Sequence, residues 1–393
     1  MSALHRAAAA VLLASHLLCI ATTAKPAAKP APTPAMIVGY VFPQNSVLQP
    51  GDVDAMSLTR INYAFANIEN GRMVAGFTKD AENLAYLTAL KKQNPSLTVL
   101  VSVGGWLWST NFSDVSLTAA SRQTFIDSVM DYLTRYSLDG LDIDWEYPGM
   151  PGAGHPFRPE DKENFTLLLK ELRSRFNQQT QKTHRKLYLT MAAGSSTEFI
   201  AHTEMGKAQL YLDTVNLMGY DYYEPESDSV TGNHAPLFTD GADPKKVSAN
   251  QSVIEFEQAG VPADKIVLGL PFYGHTWGQV ADHAHGLFQP GKPIPNAYAP
   301  YRLIFSTMLP PQANGYVRYW DQASSVPYLY NAEKQIFVSY EDPESIAAKC
   351  RYVQSHHLGG IMFWDYASDP SGTLLKAIYQ SLHQPEGSGV KVK

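Results

Sequence analysis

Cysteine is nearly absent: Cys19 and Cys350 are the only two in 393 residues. If an N-terminal leader is removed, Cys350 stands alone, no internal disulfide can form, and the fold must rest on its core. Cys350 sits in the helical pattern S-I-A-A-K-C-R-Y-V, where a buried structural thiol is expected rather than a nucleophile. Positive charge is also short. Lys and Arg total 31 against 37 Asp and Glu, a net charge of -6, and no basic run occurs. That balance argues against nucleic acid or a membrane surface as partner. The one long apolar stretch, 7–20, is too short to span a bilayer. There is no phosphate loop and no dinucleotide fingerprint. The close histidine pairs, His283 with His285 and His356 with His357, lack cysteines or carboxylates at ligand spacing. No metal and no cofactor are expected.

What is present begins with a leader. Arg6, the apolar stretch and small residues to Ala24 read as a signal peptide over 1–24, cleaved near Thr22-Thr23-Ala24, so the mature chain should be extracellular or periplasmic. Cys19 invites a lipid-anchored alternative, but Leu17 and Leu18 occupy places where a small residue is wanted. Residues 25–35 form an extended Pro/Ala linker, and 385–393 a polar tail. Asn111, Asn164 and Asn250 fit the N-glycosylation pattern, two of them within helical patterns.

Between linker and tail, eight β-like runs lie near 36–42, 60–68, 97–103, 139–146, 187–193, 214–220, 265–272 and 359–365. Helical patterns alternate with them, at 80–93, 118–136, 159–180 and 243–259, and a helix start with proline in its first turn at Asp342-Pro343-Glu344. With 45% hydrophobic residues, this predicts an α/β fold, a (β/α)8 barrel. First strand to last spans about 330 residues where an ordinary barrel needs ~250. The surplus falls in 275–342, too long for a structureless loop, so a small α+β insertion is expected there.

Residues 139–147 read D-G-L-D-I-D-W-E-Y. Side chains alternate along a strand, so Asp142, Asp144 and Glu146 share one face, and Leu141, Ile143 and Trp145 the other. Neighbours in the row lie roughly 6–7 Å apart. Three shielded carboxylates cannot all stay ionised, so at least one should hold its proton near neutral pH. A protonated carboxyl beside ionised ones suits general-acid cleavage of an acetal. An exposed edge strand with a solvated acidic face fits badly, because Leu141, Ile143 and Trp145 ask for burial. Asp139, on the opposite parity, reads as structural. All six tryptophans fall at strand ends or in the insertion, as a glycan groove would want, with Trp145 pointing into the core instead.

The stretch resembles the D-x-x-D-x-D-x-E signature of glycoside hydrolase family 18, the chitinases. Ser102-Val103-Gly104-Gly105, N-L-M-G-Y-D at 216–221, G-G-I-M-F-W at 359–364 and Y-E-D-P-E-S-I at 340–346 resemble further motifs of that family. Tyr301, Trp320-Asp321 and Pro327-Tyr328 resemble its insertion domain, which would make 36–384 the catalytic barrel. The resemblance implies Glu146 as general acid, Asp144 as the group that orients the substrate's acetamido N–H, and Asp142 as a proton-sharing neighbour of Asp144. Tyr220 would hold the acetamido carbonyl, whose oxygen attacks the anomeric carbon through an oxazolinium intermediate with net retention. Tyr40, Phe65, Gly104, Gly105, Trp106, Tyr147, Met218, Asp221 and Trp364 would line the groove, with Trp364 as its floor. Two departures stand out: Tyr223-Glu224-Pro225-Glu226 replaces H-G-x-W, and His275 replaces a usual arginine.

The implied protein is a secreted, monomeric chitinase acting on chitin or chitooligosaccharides. An inactive chitin-binding lectin is disfavoured by the intact acid row. An endo-β-N-acetylglucosaminidase acting on glycoproteins is disfavoured by the Tyr220-Asp221 pair and the insertion.

Overall fold

The structure, a computed structural model, describes residues 35–310 and 313–383. The predicted leader, the linker up to residue 34 and the tail 385–393 lie outside the described residues.

Fourteen strands form among the described residues. They are β1 (Met36–Val41), β2 (Arg60–Glu69), β3 (Arg72–Val74), β4 (Thr98–Gly104), β5 (Gly140–Asp144), β6 (Tyr188–Gly194) and β7 (Thr214–Met218). After these come β8 (Ile266–Pro271), β9 (Tyr273–Gly278), β10 (Lys292–Pro300), β11 (Val317–Asp321), β12 (Val326–Asn331), β13 (Ile336–Ser339) and β14 (Gly360–Trp364). Strands β1, β2, β4, β5, β6, β7, β8 and β14 pair in that order, all parallel, and the β1–β14 and β1–β2 pairings close the barrel. Each matches one of the eight β-like runs. Their residues are buried on both faces, as parallel strands enclosed by helices and filled by side chains require. β3 only adds an antiparallel edge to β2.

The helices form where caps permit. Thr118 and Ser121 make a reciprocal capping box that starts Ala119–Arg135. Asp342 accepts from the amides of Glu344 and Ser345 and starts Pro343–Ser355, as its sequence predicts. The helix expected over 243–259 is shorter, Ala249–Gln258. Its first residues are diverted into a turn, because the Asp243 carboxylate accepts from the amides of Lys245 and Val247, and Ser248 then caps the helix. The helix expected over 80–93 ends at Ala89 and tightens into a 3-10 turn over Leu90–Lys92.

The stretch between β8 and β14 carries a second sheet, five antiparallel strands in the order β10-β9-β13-β12-β11. It has its own core of Tyr223, Trp277, Val280, Tyr328, Tyr330 and Phe337. β9 follows β8 after a single residue, Phe272, which is buried and stacks on Phe363 of β14 at 4.2 Å between ring centroids. The sheet is thereby held at the rim where the barrel strands end.

Candidate active site

Asp142, Asp144 and Glu146 are only 0, 5 and 9% exposed, although all three are acidic. Strand parity puts them inside the barrel. Trp145 points the other way, stacked on Phe112 at 5.2 Å and edge-on to Phe165 at 5.7 Å. Asp139, at the opposite end of the strand, pairs with Lys91 and Arg185 and accepts from the Val99 amide, so its role is structural.

Asp142 is the deepest of the row, and four strands converge on it. Its Oδ2 accepts from Tyr40 Oη at 2.9 Å and Ser102 Oγ at 2.8 Å; its Oδ1 accepts from Thr190 Oγ1 at 2.5 Å and Asn216 Nδ2 at 3.1 Å. Burial pushes its carboxyl up, and the hydrogen bonds from Thr190, Ser102 and Tyr40 pull against that. The sequence leads to the expectation that Asp142 shares a proton with Asp144, and the charge of Asp142 is among the causes that raise the Asp144 carboxyl. Tyr40 lines the cavity and also supports the row, its hydroxyl donating to Asp142 Oδ2 and accepting from Asn216 Nδ2.

Asp144 has little help. Its Oδ1 is buried with no hydrogen-bond partner, and burial together with the charges of Glu146 and Asp142 raises its carboxyl well above the usual range. Glu146 is raised to about 7, first by burial and then by Asp221 and Glu224, against a hydrogen bond from Tyr147. The Glu146 amide is fixed by Ser109, whose Oγ accepts from it at 2.9 Å and itself donates to the carbonyls of Gly105 and Asp144. The row therefore presents two raised carboxyls side by side, Glu146 able to hold its proton near neutral pH and Asp144 with a buried oxygen that lacks a partner.

Above the row lies a cavity of about 770 Å³. Every residue expected in the site lines it except Asp142, which lies beneath. Trp364 stacks on Phe65 at 5.4 Å and 21°, with Phe42 and Tyr40 packed behind, forming a flat aromatic floor. Trp106, half-exposed, leans on Tyr147 at 6.4 Å. Gly104 and Gly105 have φ of +107° and +79°. A Cβ on Gly104 would lie 2.2 Å from the Asp144 carbonyl oxygen, and one on Gly105 2.7 Å from the Phe65 ring, so no other residue fits there. Of the tryptophans, Trp106, Trp108 and Trp364 reach the cavity, whereas Trp277 is core of the second sheet.

Several wall residues were not named as site residues from the sequence. Phe42 and Phe77 belong to the aromatic cluster around Trp364 and Trp108. Tyr298 comes from the second sheet and stacks on Tyr273 at 4.5 Å. Glu224 and His275, singled out only as departures, both line the cavity. Nothing local marks Tyr298, because its place depends on the β9–β10 pairing. Phe42 was findable, being the residue that follows β1 at the rim.

Asp221 is the hub of this wall. Its carboxylate accepts from Tyr273 Oη at 2.8 and 2.7 Å and from His275 Nε2 at 2.8 Å, and His234 Nδ1 lies 3.6 Å away. Burial opposes its charge, but His234 and His275 prevail and hold it well below the usual carboxylate range. His234 is fully buried, which lowers its pKa to about 4 and keeps the imidazole neutral. Among the described residues, this trio alone brings three metal-ligating side chains within 4.8 Å of one another. The sequence expectation considered only the pairs at 283/285 and 356/357. The carboxylate of the trio is already engaged by Tyr273 and His275.

Comparison with known proteins places this geometry. Residues 36–369 match the model of the glycosyl hydrolases family 18. The chain is 38% identical over 341 residues to chitinase A1 of Niallia circulans, a match covering 82% of this chain and 48% of that protein, so it spans about half of that relative's length. A family 18 N-acetylglucosaminidase from Paenibacillus barengoltzii superposes with a TM-score of 0.81 at 39% identity, covering 88% of this chain and 99% of that one. A class V chitinase from Nicotiana tobaccum, solved in complex with NAG4, superposes with a TM-score of 0.80 at 27% identity, covering 89% and 99%.

Proposed function

The chain belongs to the glycosyl hydrolases of family 18, and from that premise we propose that it is a chitinase, hydrolysing β-1,4-linked N-acetylglucosamine chains with retention of configuration. The observation that carries the reading is the buried row in which Glu146 is raised to about 7 while Asp144 Oδ1 has no partner. Glu146 protonates the departing glycosidic oxygen. Asp144 accepts the N–H of the substrate's 2-acetamido group, and Tyr220, with no hydrogen bond of its own to another described residue, holds the acetamido carbonyl. That carbonyl oxygen attacks the anomeric carbon, giving an oxazolinium, and water reopens it after Glu146 has returned as base. Trp364 supports the sugar from below. Asp142 does not touch substrate; its four donors and its place under Asp144 fix the electrostatics of the row.

Proton NMR of fresh chitohexaose digests tests this. The β-anomer should appear first, and cello-oligosaccharides, with the same linkage and no acetamide, should stay intact. First appearance of the α-anomer, or steady cleavage of cellohexaose, would sink the mechanism. The likeness to the Paenibacillus N-acetylglucosaminidase favours a second reading, release of single sugars from chain ends. The same digest separates the two readings, since monomer alone from the earliest time points would mark end-wise release.

Secretion belongs to the same reading. No described helix is long and apolar enough to cross a membrane, and 1–24 has the composition of a removable leader. Intact-mass measurement of the mature protein should give a start near Lys25. Full-length protein recovered from the cytosol of the native host would count against it.

A further inference from the structure

We propose that Asp221, His234 and His275 form a binding site for zinc(II) or a similar borderline divalent cation in the wall of the cavity, and that the bound ion reversibly inhibits the enzyme. The ion site goes beyond the chitinase reading and stands without it; the inhibition rests on that reading.

Two imidazoles and one carboxylate are ligands that suit zinc, copper(II) and nickel, whereas magnesium and calcium take oxygen. Each of the three residues offers one ligand atom, and these atoms all lie within 4.8 Å of one another. A four-coordinate zinc with bonds of about 2.0–2.2 Å sets its ligand atoms roughly 3.3–3.5 Å apart. His234 Nδ1 already stands 3.6 Å from Asp221 Oδ1. His275 Nε2 stands 2.8 Å from the same oxygen, so this pair must open by roughly half an ångström. That is the change expected when the proton between nitrogen and oxygen is exchanged for an ion.

His234 is what points to a ligand. It is fully buried, and neither ring nitrogen has a hydrogen-bond partner among the described residues. A buried imidazole ordinarily finds one. Nor is the ring loose. Its backbone amide donates to Ser339 Oγ at 2.9 Å and its carbonyl accepts from the Tyr222 amide at 3.1 Å. The ring packs against Tyr273 and His275, with centroids 5.5 and 5.0 Å away.

The existing bonds of Asp221 do not bar the ion. Tyr273 Oη reaches both carboxylate oxygens, at 2.8 and 2.7 Å, so it can stay on Oδ2 while Oδ1 serves the ion. On ligation His275 carries its proton on Nδ1, which has no other hydrogen bond to give up. Asp221, His275 and Tyr273 line the cavity and His234 is buried behind them, so the ion enters from the cavity and its fourth position opens onto it. Asp221 also follows Tyr220, which holds the acetamide in the reading above. An ion there, with its water, takes up space that the sugar needs, so inhibition should be competitive with oligosaccharide.

Binding is read first, without activity. The tag-free protein is titrated with cobalt(II), whose visible absorption is strong when four-coordinate and weak in solution. One ion per chain is expected, and zinc should displace it and abolish the bands. His275→Arg keeps a donor to Asp221 and removes a ligand, so it should lose the bands. It should also raise the zinc concentration that halves chitohexaose cleavage by at least about 10–100-fold, the range that loss of even an outer contact costs a metal site. His234→Asn should do the same, while the cobalt spectrum of the unmodified protein needs no variant to fold. Absence of four-coordinate bands, or bands and zinc sensitivity that survive in His275→Arg, would overturn the site and mark any bound ion as adventitious. Bands without inhibition would overturn the inhibitory role. Failure of the metal-free protein to cleave chitohexaose would instead overturn the chitinase reading, and the binding result would stand.

Discussion

Glu146→Gln should lower turnover of chitohexaose by on the order of 10²–10⁴, the usual worth of a positioned proton donor, with binding of the oligosaccharide retained. Glutamine keeps the shape and the Ser109 contact to the backbone, and removes only the proton. Calorimetric titration of the variant separates the two effects. The same carboxyl sets a pH limit. Because burial and the nearby Asp221 and Glu224 charges hold it at about 7, it carries its proton below that value and loses it above. The rate should therefore fall as pH rises through about 7. A variant with near-normal turnover would place the acid on another residue.

Lys349→Met should cost about 3–5 kcal/mol of stability, measured by chemical denaturation. Lys349 and Glu341 are both fully buried and paired, and the lysine also donates to the Ala235 carbonyl at 2.6 Å. Burial pushes the Glu341 carboxyl up and the Lys349 ammonium down, and each is tolerated because of the other. Removing one partner strands a charge in the core. The double change Glu341→Gln with Lys349→Met strands none, so it should recover most of the loss. A double variant no more stable than the single one would show that the penalty comes from packing rather than charge.

The acid row was legible because everything it needs is contiguous. Period-two alternation alone decides which side of β5 each residue takes, and a buried apolar face then forces the carboxylates inward. The barrel was legible for a related reason, since eight short aliphatic runs separated by helical patterns leave few alternatives. What escaped was assembled by topology. His234 sits on a loop, Asp221 follows β7 and His275 lies on β9, so no local pattern joins them. Tyr298 faces the site only because β10 pairs with β9. The donors to Asp142 escaped for the same reason, since Tyr40, Ser102, Thr190 and Asn216 lie on four other strands. Glu224 was visible as a departure from a pattern, but its meaning depends on what the fold leaves around it.

The single residue between β8 and β9 has a mechanical consequence. Phe272 donates its amide to the Trp364 carbonyl at 2.7 Å and accepts from the Tyr301 amide at 2.9 Å, while its ring lies flat on Phe363. It is a rivet through three parts at once: a barrel strand, the strand that carries the aromatic floor, and the second sheet with its Tyr273 and Tyr298. A joint one residue long, clamped by two backbone bonds and a stacked ring, has no slack to serve as a hinge. The gap between floor and wall is therefore a gauge set when the barrel closes, by folding rather than by binding.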